Sequence, residues 1–440
     1  MGLFLWLLFV VAVIVWLTVR MNLHPFLALL FGAILMGFLA RLEIAVLAGA
    51  LADGFGNTLR SIGIVIAAGA IIGEYLDRSG GAKVLANKIL SLVGEKNSPI
   101  SMSFTGYIVS IPVFCDSGFI VLSALNKAIA KRAGISLAVL AVALASGLYA
   151  THVFVPPTPG PLAAAATLGA DVGWVLILGL LVSVPVMIAA LIFATRYCSR
   201  FEISFDHEEL TAETPSHSPS FFLALIPILA PILLIALKSI AQLGSLPFGE
   251  GWFYNTLLFL GDPIMALLFG VMLAFLMVKG GQKRIQNEWL EEALRKAGII
   301  ILITGAGGAF GSVLRETDLG LFAAGFAEIG GLGVLIPFLI AAFLKTAQGS
   351  STVAIITAAA ITAPLLAPLG LDSVLGKALT VLAVGAGSLT VSHVNDSYFW
   401  VVAKFSEMDT STALRTHTIA TLIMGITGLL TIQILAWVIL

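Results

Sequence analysis

Two polar segments in the first half of the chain interrupt long apolar runs and contain groups that can carry charge. PVFCDSGF, residues 112–119, places the carboxyl group of Asp116 between apolar arms. ATHVFVPPTPGP, residues 150–161, places His152 beside four prolines, which prevent a regular helix. Ionisable groups among membrane-embedded apolar residues are costly and are candidates for proton or ion binding. We predict that both segments unwind at a binding site, although a helix cap or a plain turn would explain them too.

Two further polar segments lie in the second half of the chain. KTAQGSST, residues 345–352, places hydroxyl side chains before an Ala-rich run, a pattern typical of an anion site at a helix N-terminus. SHVNDSYFW, residues 392–400, contains His393, which can carry a proton near neutral pH, and Asp396, which can ionise or pair with it. A small-residue packing face or a buried polar network would explain the same residues without a ligand.

These segments supply two groups of candidate site residues. The candidates for binding the coupling proton are Asp116, His152, His393 and Asp396. The candidates for binding substrate are Ser117, Thr158, Gly349, Ser350, Ser351, Thr352, Asn395 and Ser397. Lys345 could offset an anionic substrate, although a lysine at a helix end can equally reach out to the membrane interface. We predict no metal site and no cofactor, with H⁺ as the coupling ion and Na⁺ as the alternative.

The composition requires that a membrane surrounds these segments. Hydrophobic residues make up 59% of the 440 residues and charged residues 11%, and the mean hydropathy is +1.07. Soluble domains carry about 25% charged residues, so this chain cannot cover a water-facing surface. Because apolar runs of spanning length recur without the alternation of a β-barrel, we predict an all-α polytopic membrane protein with about 12–14 helical segments. The net charge of −1 gives no reason to expect a nucleic-acid partner.

One hydrophilic segment divides the chain. Residues 196–220 are rich in charge, Ser and Pro, and we interpret them as a linker between an N-terminal transmembrane half, residues 1–195, and a C-terminal transmembrane half, residues 221–440. A second polar stretch, residues 279–297, is predicted to hold a short interfacial amphipathic helix.

The two halves carry similar motifs in the same order. GEYLDRSG at 73–80 and GSVLRETDLG at 311–320 begin 238 positions apart. LYATHVFVPPTP at 148–159 and LTVSHVNDSYFW at 389–400 begin 241 positions apart. An internal repeat with interrupted helices is typical of secondary transporters, whose substrate sites lie near the bilayer midplane. We therefore predict two related halves, arranged as inverted repeats, with re-entrant hairpins and broken helices.

At these motifs the sequence resembles the gluconate permease (GntP) family, within the larger ion-transporter superfamily. The matching motifs are HPFLALL (24–30), FCDSGF (114–119), HVFVPPTPGP (152–161), GAGGAF (305–310), GSSTVA (349–354) and DSYFW (396–400). The resemblance covers essentially the whole chain. It implies a multi-pass protein of the bacterial inner membrane that imports gluconate, or a related small hydroxy-carboxylate, together with protons. It also implies a homodimer whose moving domain carries two re-entrant hairpins.

The expected mechanism assigns a part to each group of candidates. The substrate carboxylate would rest on N–H groups and hydroxyls at 349–352, and its hydroxyls would bond Thr158, Asn395 and Ser397. A carboxyl group that is removed from water holds its proton more tightly than one in solution, which suits proton pickup and release. One proton and one anion together make the loaded site neutral, which lowers the free energy of moving it across the bilayer.

Several alternatives to this mechanism stay open. Asp116 and Asp396, with carbonyl groups of unwound backbone, could hold Na⁺ instead of a proton. The substrate could be D-serine or glycerate rather than gluconate. A passive channel and an intramembrane aspartyl enzyme are remote alternatives, and the sequence contains neither a His-Glu-x-x-His nor a Gly-x-Ser-x-Gly motif.

Overall fold

Helices make up almost all of the structure. This computed structural model describes residues 2–94, 97–203, 218–242, 251–278, 283–317, 333–394 and 396–440. The helices are α1 (Gly2–Val19), α2 (Pro25–Leu39), α3 (Ile44–Arg78), α4 (Gly81–Val93), α5 (Ser98–Val109), α6 (Cys115–Ala133), α7 (Leu137–Phe154), α8 (Pro159–Leu168), α9 (Val172–Arg196), α10 (Phe221–Ala241), α11 (Trp252–Leu260), α12 (Pro263–Phe275), α13 (Lys283–Arg315), α14 (Leu335–Gln348), α15 (Ser351–Thr362), α16 (Val374–Leu389), α17 (Ser397–Phe405) and α18 (Thr410–Ile439). No strand occurs in these ranges, so the all-α prediction is confirmed.

Several helices are long and apolar enough to cross a bilayer. Within the described ranges, five meet this test: α7 taken together with α8, and α9, α10, α13 and α18. The number rises to seven if α3 and the bent pair α11–α12 each count as one span. The remaining apolar helices are shorter than the roughly 20 residues that a full span needs. Short helices of this kind are expected in a fold with re-entrant and broken elements. Much of the predicted linker, residues 204–217, lies outside the described residues, and the division into halves at that segment stays a prediction.

The longest helix of each half packs against the other along its length. Gly54 near the start of α3 lies against Gly308 and Ser312 near the end of α13. At the opposite end, the Tyr75 hydroxyl donates a 2.8 Å hydrogen bond to the backbone oxygen of Gln286. The two helices are therefore antiparallel, as inverted repeats require of equivalent elements. The prediction of a separate interfacial helix over 279–297 is wrong, because α13 continues from Lys283 through the apolar run to Arg315.

Four breaks interrupt the helices at the predicted polar segments. Break 1 (110–114) joins α5 to α6, and break 2 (155–158) joins α7 to α8. Break 3 (349–350) joins α14 to α15, and break 4, described at 390–394 and 396, joins α16 to α17. Breaks 1 and 3 each follow a helix of 12–14 residues, and breaks 2 and 4 each follow a helix of 16–18 residues and precede one of 9–10 residues. Equivalent breaks therefore occur in the same order in both halves, as the repeat in the sequence predicts.

Helix α5 approaches α7 very closely because glycines line their interface. A Cβ atom built on Gly147 of α7 would collide with the backbone oxygen of Ser103 in α5. On the other side, a Cβ atom on Gly106 would lie 2.6 Å from the backbone oxygen of Leu144. Small residues permit such approach in membrane helices, where van der Waals contact replaces the hydrophobic effect as the force that holds helices together. This contact fixes α7 and therefore positions break 2.

We expect Gly147→Ala to destabilise the protein by about 1–3 kcal/mol, because the added methyl group forces two backbones apart. The matched control is Gly49→Ala in α3, where an added Cβ meets nothing within 4 Å. That control should be neutral or should stabilise by about 0.5–1 kcal/mol, since Ala favours helix over Gly. Thermal unfolding of both variants in detergent measures the difference. Equal midpoints for the two variants would contradict this account of the α5–α7 contact.

Candidate functional site

A buried ion pair connects the third and fourth breaks. Lys345 lies in the last turn of α14 with its side chain fully buried, and its Nζ donates to Asp396 Oδ2 at 2.5 Å. The same ammonium group donates to the backbone oxygen of Gly349 at 2.8 Å. A lysine in this position does not reach out to the membrane interface. Two charges withdrawn from water stabilise a fold only when further hydrogen bonds surround them, and both members of this pair have such partners.

Both carboxylate oxygens of Asp396 accept hydrogen bonds. It is the N-cap of α17, where Oδ1 accepts from the backbone N–H of Tyr398 at 3.1 Å. Its Oδ2 also accepts a short hydrogen bond from the hydroxyl of Ser392. Ser392 is fixed in turn by α18, because its N–H donates to the Thr421 hydroxyl and its carbonyl accepts from Thr418. The pair is therefore a rigid junction between break 4, α14 and the last helix.

Two tyrosines connect this junction to the N-terminal half. The ring of Tyr149, in α7, lies 5.8 Å from Lys345 Nζ, within the range of a cation–π contact. Its hydroxyl donates a 3.5 Å hydrogen bond to the backbone oxygen of Ser388 in α16. The Tyr149 ring also packs against Tyr398 at 5.1 Å, and the Tyr398 hydroxyl donates to the backbone oxygen of Ala145 at 3.0 Å. Breaks 3 and 4 are thus held against the helix that leads into break 2.

Asp116 brings a second carboxyl group to the same place. It lies in the first turn of α6 beyond break 1, within electrostatic range of both Asp396 and Lys345. Its Oδ1 is buried and has no hydrogen-bond partner in the described part of the chain. It does not cap α6, because Phe114 occupies the N-cap position. One lysine therefore faces two carboxyl groups, of which one is fully paired and the other has a vacant oxygen.

Two buried histidines flank the junction. His152, at the end of α7, lies with its ring 6.0 Å from that of Phe114, and its Nδ1 has no partner among the described residues. His417 lies in a π-helical turn of α18, Leu414–Thr418, with its ring 5.4 Å from Tyr398. Neither ring nitrogen of His417 has a described partner. Both imidazoles are within electrostatic range of Asp396 and Lys345.

Other predicted residues lie elsewhere. His393 does not pair with Asp396, because the unwound backbone of break 4 turns the two side chains apart; its Nε2 contacts the backbone oxygen of Thr346 at 3.0 Å, near the surface. Ser397 is exposed and does not reach the junction. Asn395 lies outside the described residues.

The start of α15, where an anion site is predicted, is a capped helix N-terminus, and the anion site itself stays a prediction. Gly349 ends α14 with φ at +81°, a left-handed conformation that glycine adopts without strain. Ser350 is the N-cap of α15, and its hydroxyl accepts from the N–H of Val353 at 3.4 Å. Ser351 and Thr352 form the first turn and are partly exposed. The Gly349 carbonyl accepts from Lys345, and the first N–H groups of α15 remain the donors that the prediction assigns to an anion.

Ser117 and Thr158 line two adjoining cavities beside breaks 1 and 2. One cavity, lined by Ser117, has a volume of about 10 Å³, room for roughly one water molecule. The other, lined by Thr158, has a volume of about 10 Å³ as well. The cavities share Ala70, Val113 and Phe114, so they form one groove between α3 and the two breaks.

Three groups in or near the site were not selected from the sequence. Tyr149 and His417 lie within apolar helical runs, where an aromatic ring or a lone histidine is usually a core residue. Lys296 lines the cavity beside Ser117, yet it comes from a charged stretch that indicated a solvated surface. The available signal for His417 was its position between two threonines in the last apolar helix.

Comparisons with known proteins agree with this architecture. The chain matches the GntP family permease over residues 2–438. A gluconate permease of Pseudomonas aeruginosa is 33% identical over 95% of this chain and 94% of that protein. The inner membrane permease YgbN of Escherichia coli is 32% identical over 94% of each. Among solved structures, the YdaH transporter of Alcanivorax borkumensis matches with a TM-score of 0.64 at 15% identity, covering 94% of this chain and 98% of that one, so it shows a shared fold.

Paired broken helices, buried charges at their breaks and a family match from end to end lead to one conclusion. The chain belongs to the GntP permease family and is a multi-pass inner-membrane transporter, not an enzyme.

Proposed function

We propose that this transporter is a symporter that imports gluconate, or a related small hydroxy-carboxylate, together with a proton. The observation that carries the proposal is that Asp116, just beyond break 1, lies within electrostatic range of the Lys345–Asp396 pair at breaks 3 and 4. A relative named gluconate permease, 33% identical along nearly the whole chain, supports the choice of substrate. Because the pair is electrically balanced, Asp116 is the acid that remains to take up and release a proton.

We expect the groove beside breaks 1 and 2 to offer hydroxyl groups to such a substrate once it widens, because each of its two cavities has room for about one water molecule in this structure. Ser117 and Thr158 line it from the two breaks of the same half. The N-terminus of α15 offers further donors at Ser351 and Thr352, which are partly exposed. A polyhydroxy acid needs several hydrogen-bonding groups in a fixed arrangement, and broken helices supply these from backbone as well as side chains.

Proton coupling is favoured over sodium coupling by the position of Lys345. Its ammonium group already lies 2.5 Å from Asp396, where a sodium ion bound to this carboxylate would have to lie. Asp116 alone is a weak site for sodium, which prefers several oxygen ligands, whereas one carboxyl group is enough to bind a proton. The homodimer stays a prediction from the family resemblance.

The test is uptake of labelled gluconate into proteoliposomes under an inward proton gradient, in sodium-free buffer. For one proton per substrate, each pH unit of gradient provides about 1.4 kcal/mol, or about tenfold accumulation. We expect saturable accumulation above equilibrium that a protonophore abolishes. Uptake that requires sodium would contradict the proposal that the coupling ion is a proton. Absence of gluconate uptake under a proton gradient and under a sodium gradient would contradict gluconate as the substrate, and glycerate and D-serine would be tested next.

A further inference from the structure

Polar side chains at three of the four breaks are buried without a hydrogen-bond partner. In the described part of the chain they are Asp116 after break 1, His152 before break 2 and Gln348 before break 3. Asp116 lacks a partner at Oδ1 and His152 at Nδ1, whereas Gln348 lacks one at both its amide oxygen and its amide nitrogen. A buried polar group without a partner destabilises a fold, so native proteins retain few of them. The three breaks therefore present groups that a bound ligand can satisfy.

Gln348 lies on the side of α14 that meets the buried junction. It is the last residue of α14 and directly precedes Gly349 of break 3. It follows Lys345 by three positions, and residues at this spacing lie on one face of a helix. Lys345 is fully buried against Asp396, and Asp116 lies within electrostatic range of both. The helix face that carries Gln348 is thus the one that faces the charged groups of breaks 1 and 4.

The amide of Gln348 has no structural task among the described residues. Both of its polar atoms are buried, although the residue as a whole is partly exposed. An amide can donate two hydrogen bonds from its nitrogen and accept two at its oxygen, and none of these is made within the described ranges. Ser350, two positions further on, differs in this respect, because its hydroxyl caps α15 by accepting from the N–H of Val353.

Resting on the function proposed above, we propose that the Gln348 amide binds hydroxyl groups of the substrate and selects a hydroxy-carboxylate over its deoxy analogue. A hydroxyl group both donates and accepts, and so does the amide, which can donate to one hydroxyl and accept from the next. A carboxylate only accepts, so it would satisfy the amide nitrogen and leave the amide oxygen without a partner. A site built to bond a hydroxyl group discriminates against a ligand that lacks it, because the polar groups of the site then stay buried and unsatisfied.

The test is a cycle of two changes, one in the protein and one in the ligand. Gln348→Met keeps the length of the side chain and removes both polar atoms. Inhibition of labelled gluconate uptake gives binding constants for gluconate and for each of its monodeoxy analogues. In the wild type, at least one analogue should bind about 10- to 100-fold more weakly than gluconate. In Gln348→Met, gluconate should weaken by about the same 10- to 100-fold, while that analogue should weaken by less than about threefold, because the two changes remove the same contact.

Thermal unfolding in detergent separates a binding role from a structural one. Because the amide has no described partner in the fold, Gln348→Met should leave the unfolding midpoint unchanged or raise it. An amide that serves the fold, for example by holding a buried water molecule, would give a variant that unfolds earlier and binds gluconate and every analogue more weakly by one common factor. That result would overturn the proposal, and so would unchanged binding constants in Gln348→Met.

The matched control is Gln242→Met. Gln242 is the exposed C-cap residue of α10, away from the four breaks. Its substitution should change neither the unfolding midpoint nor the discrimination between gluconate and its deoxy analogues. A loss of discrimination in Gln242→Met equal to that in Gln348→Met would show that the effect does not arise at break 3 and would overturn the proposal.

The choice of ligand keeps this result apart from the function proposed above. If the wild type takes up glycerate or D-serine but not gluconate, the gluconate assignment fails and the cycle is repeated with the transported compound. Lactate and 3-hydroxypropanoate each lack one hydroxyl group of glycerate, and D-alanine lacks that of D-serine. The Gln348 proposal then stands or falls on that cycle. A wild-type protein that transports none of these carboxylates would overturn both proposals.

Discussion

Lys345→Met should lower the free energy of unfolding by about 3–5 kcal/mol, because it leaves the carboxylate of Asp396 buried without its cation. The ion pair is fully enclosed, with side-chain exposures of 0% and 4%, so water cannot replace the lost partner. Transport should be lost as well, since the pair fixes break 4 against α14. Titration of the unfolding equilibrium in mixed micelles with a denaturing detergent measures the change in stability.

Two comparisons test whether the loss comes from the unpaired charge. The double variant Lys345→Met/Asp396→Asn removes both charges and should recover much of the lost stability, since burial of an ion pair is itself costly. Lys377→Met removes the lysine of the more exposed Lys377–Asp372 pair, at 3.0 Å, and should cost less than about 1 kcal/mol. A double variant no more stable than Lys345→Met would show that packing of the lysine stem, not charge pairing, holds the junction.

Asp116→Asn should abolish uphill transport while leaving exchange of substrate across the membrane. The amide has the size of the carboxyl group but cannot take up and release a proton at ordinary pH. Under a gradient of one pH unit, the wild type should accumulate gluconate about tenfold, and the variant should only equilibrate it. Counterflow, in which unlabelled gluconate inside drives entry of labelled gluconate, should continue because it requires no net proton movement.

The matched control for Asp116→Asn is Asp409→Asn. Asp409 is an exposed N-cap of α18, and Asn is an equally good N-cap, so neither stability nor accumulation should change. If Asp116→Asn still accumulates gluconate, another group binds the coupling proton and the role of Asp116 is structural. Loss of both accumulation and counterflow would indicate a substrate-binding part instead.

The sequence was sufficient to locate the breaks. Inside a bilayer, only helices satisfy the backbone without water, so a polar segment with Pro or Gly in an apolar run marks a departure from helix. PVFCDSGF, ATHVFVPPTPGP, KTAQGSST and SHVNDSYFW all contain or adjoin a break in the structure. Motifs at similar spacing in both halves also predicted the repeat, because two copies of one structural element keep similar motifs in the same order.

The side-chain partners at the breaks could not be predicted in the same way. Asp396 and His393 are three positions apart, which in a helix would place them on one face, but break 4 is unwound and they diverge. Asp396 instead meets Lys345, 51 positions away, because α14 and α17 are brought together by packing that no local pattern encodes. The burial of Lys345 likewise depends on the helices around it.

The predicted helix boundary near residue 297 was wrong because the change in composition there does not coincide with the end of a helix. The stretch 279–297 is polar and the following run is apolar, which suggests two elements. Among the described residues one helix nevertheless runs from Lys283 to Arg315, because nothing at the change in composition stops the backbone hydrogen bonds. Lys296 lies at that change in composition, and its position on a continuous helix is what carries it into the cavity beside break 1. The position of Lys296 beside this cavity could therefore not be predicted from the change in composition.

The most direct test of proton coupling is to record the pH inside proteoliposomes when gluconate is added outside. The buffer is free of sodium, and the pH is the same on both sides at the start. Proton-coupled import predicts that the interior of wild-type vesicles acidifies as gluconate enters and that Asp116→Asn vesicles show no such change. Entry of gluconate into wild-type vesicles without acidification would contradict proton coupling.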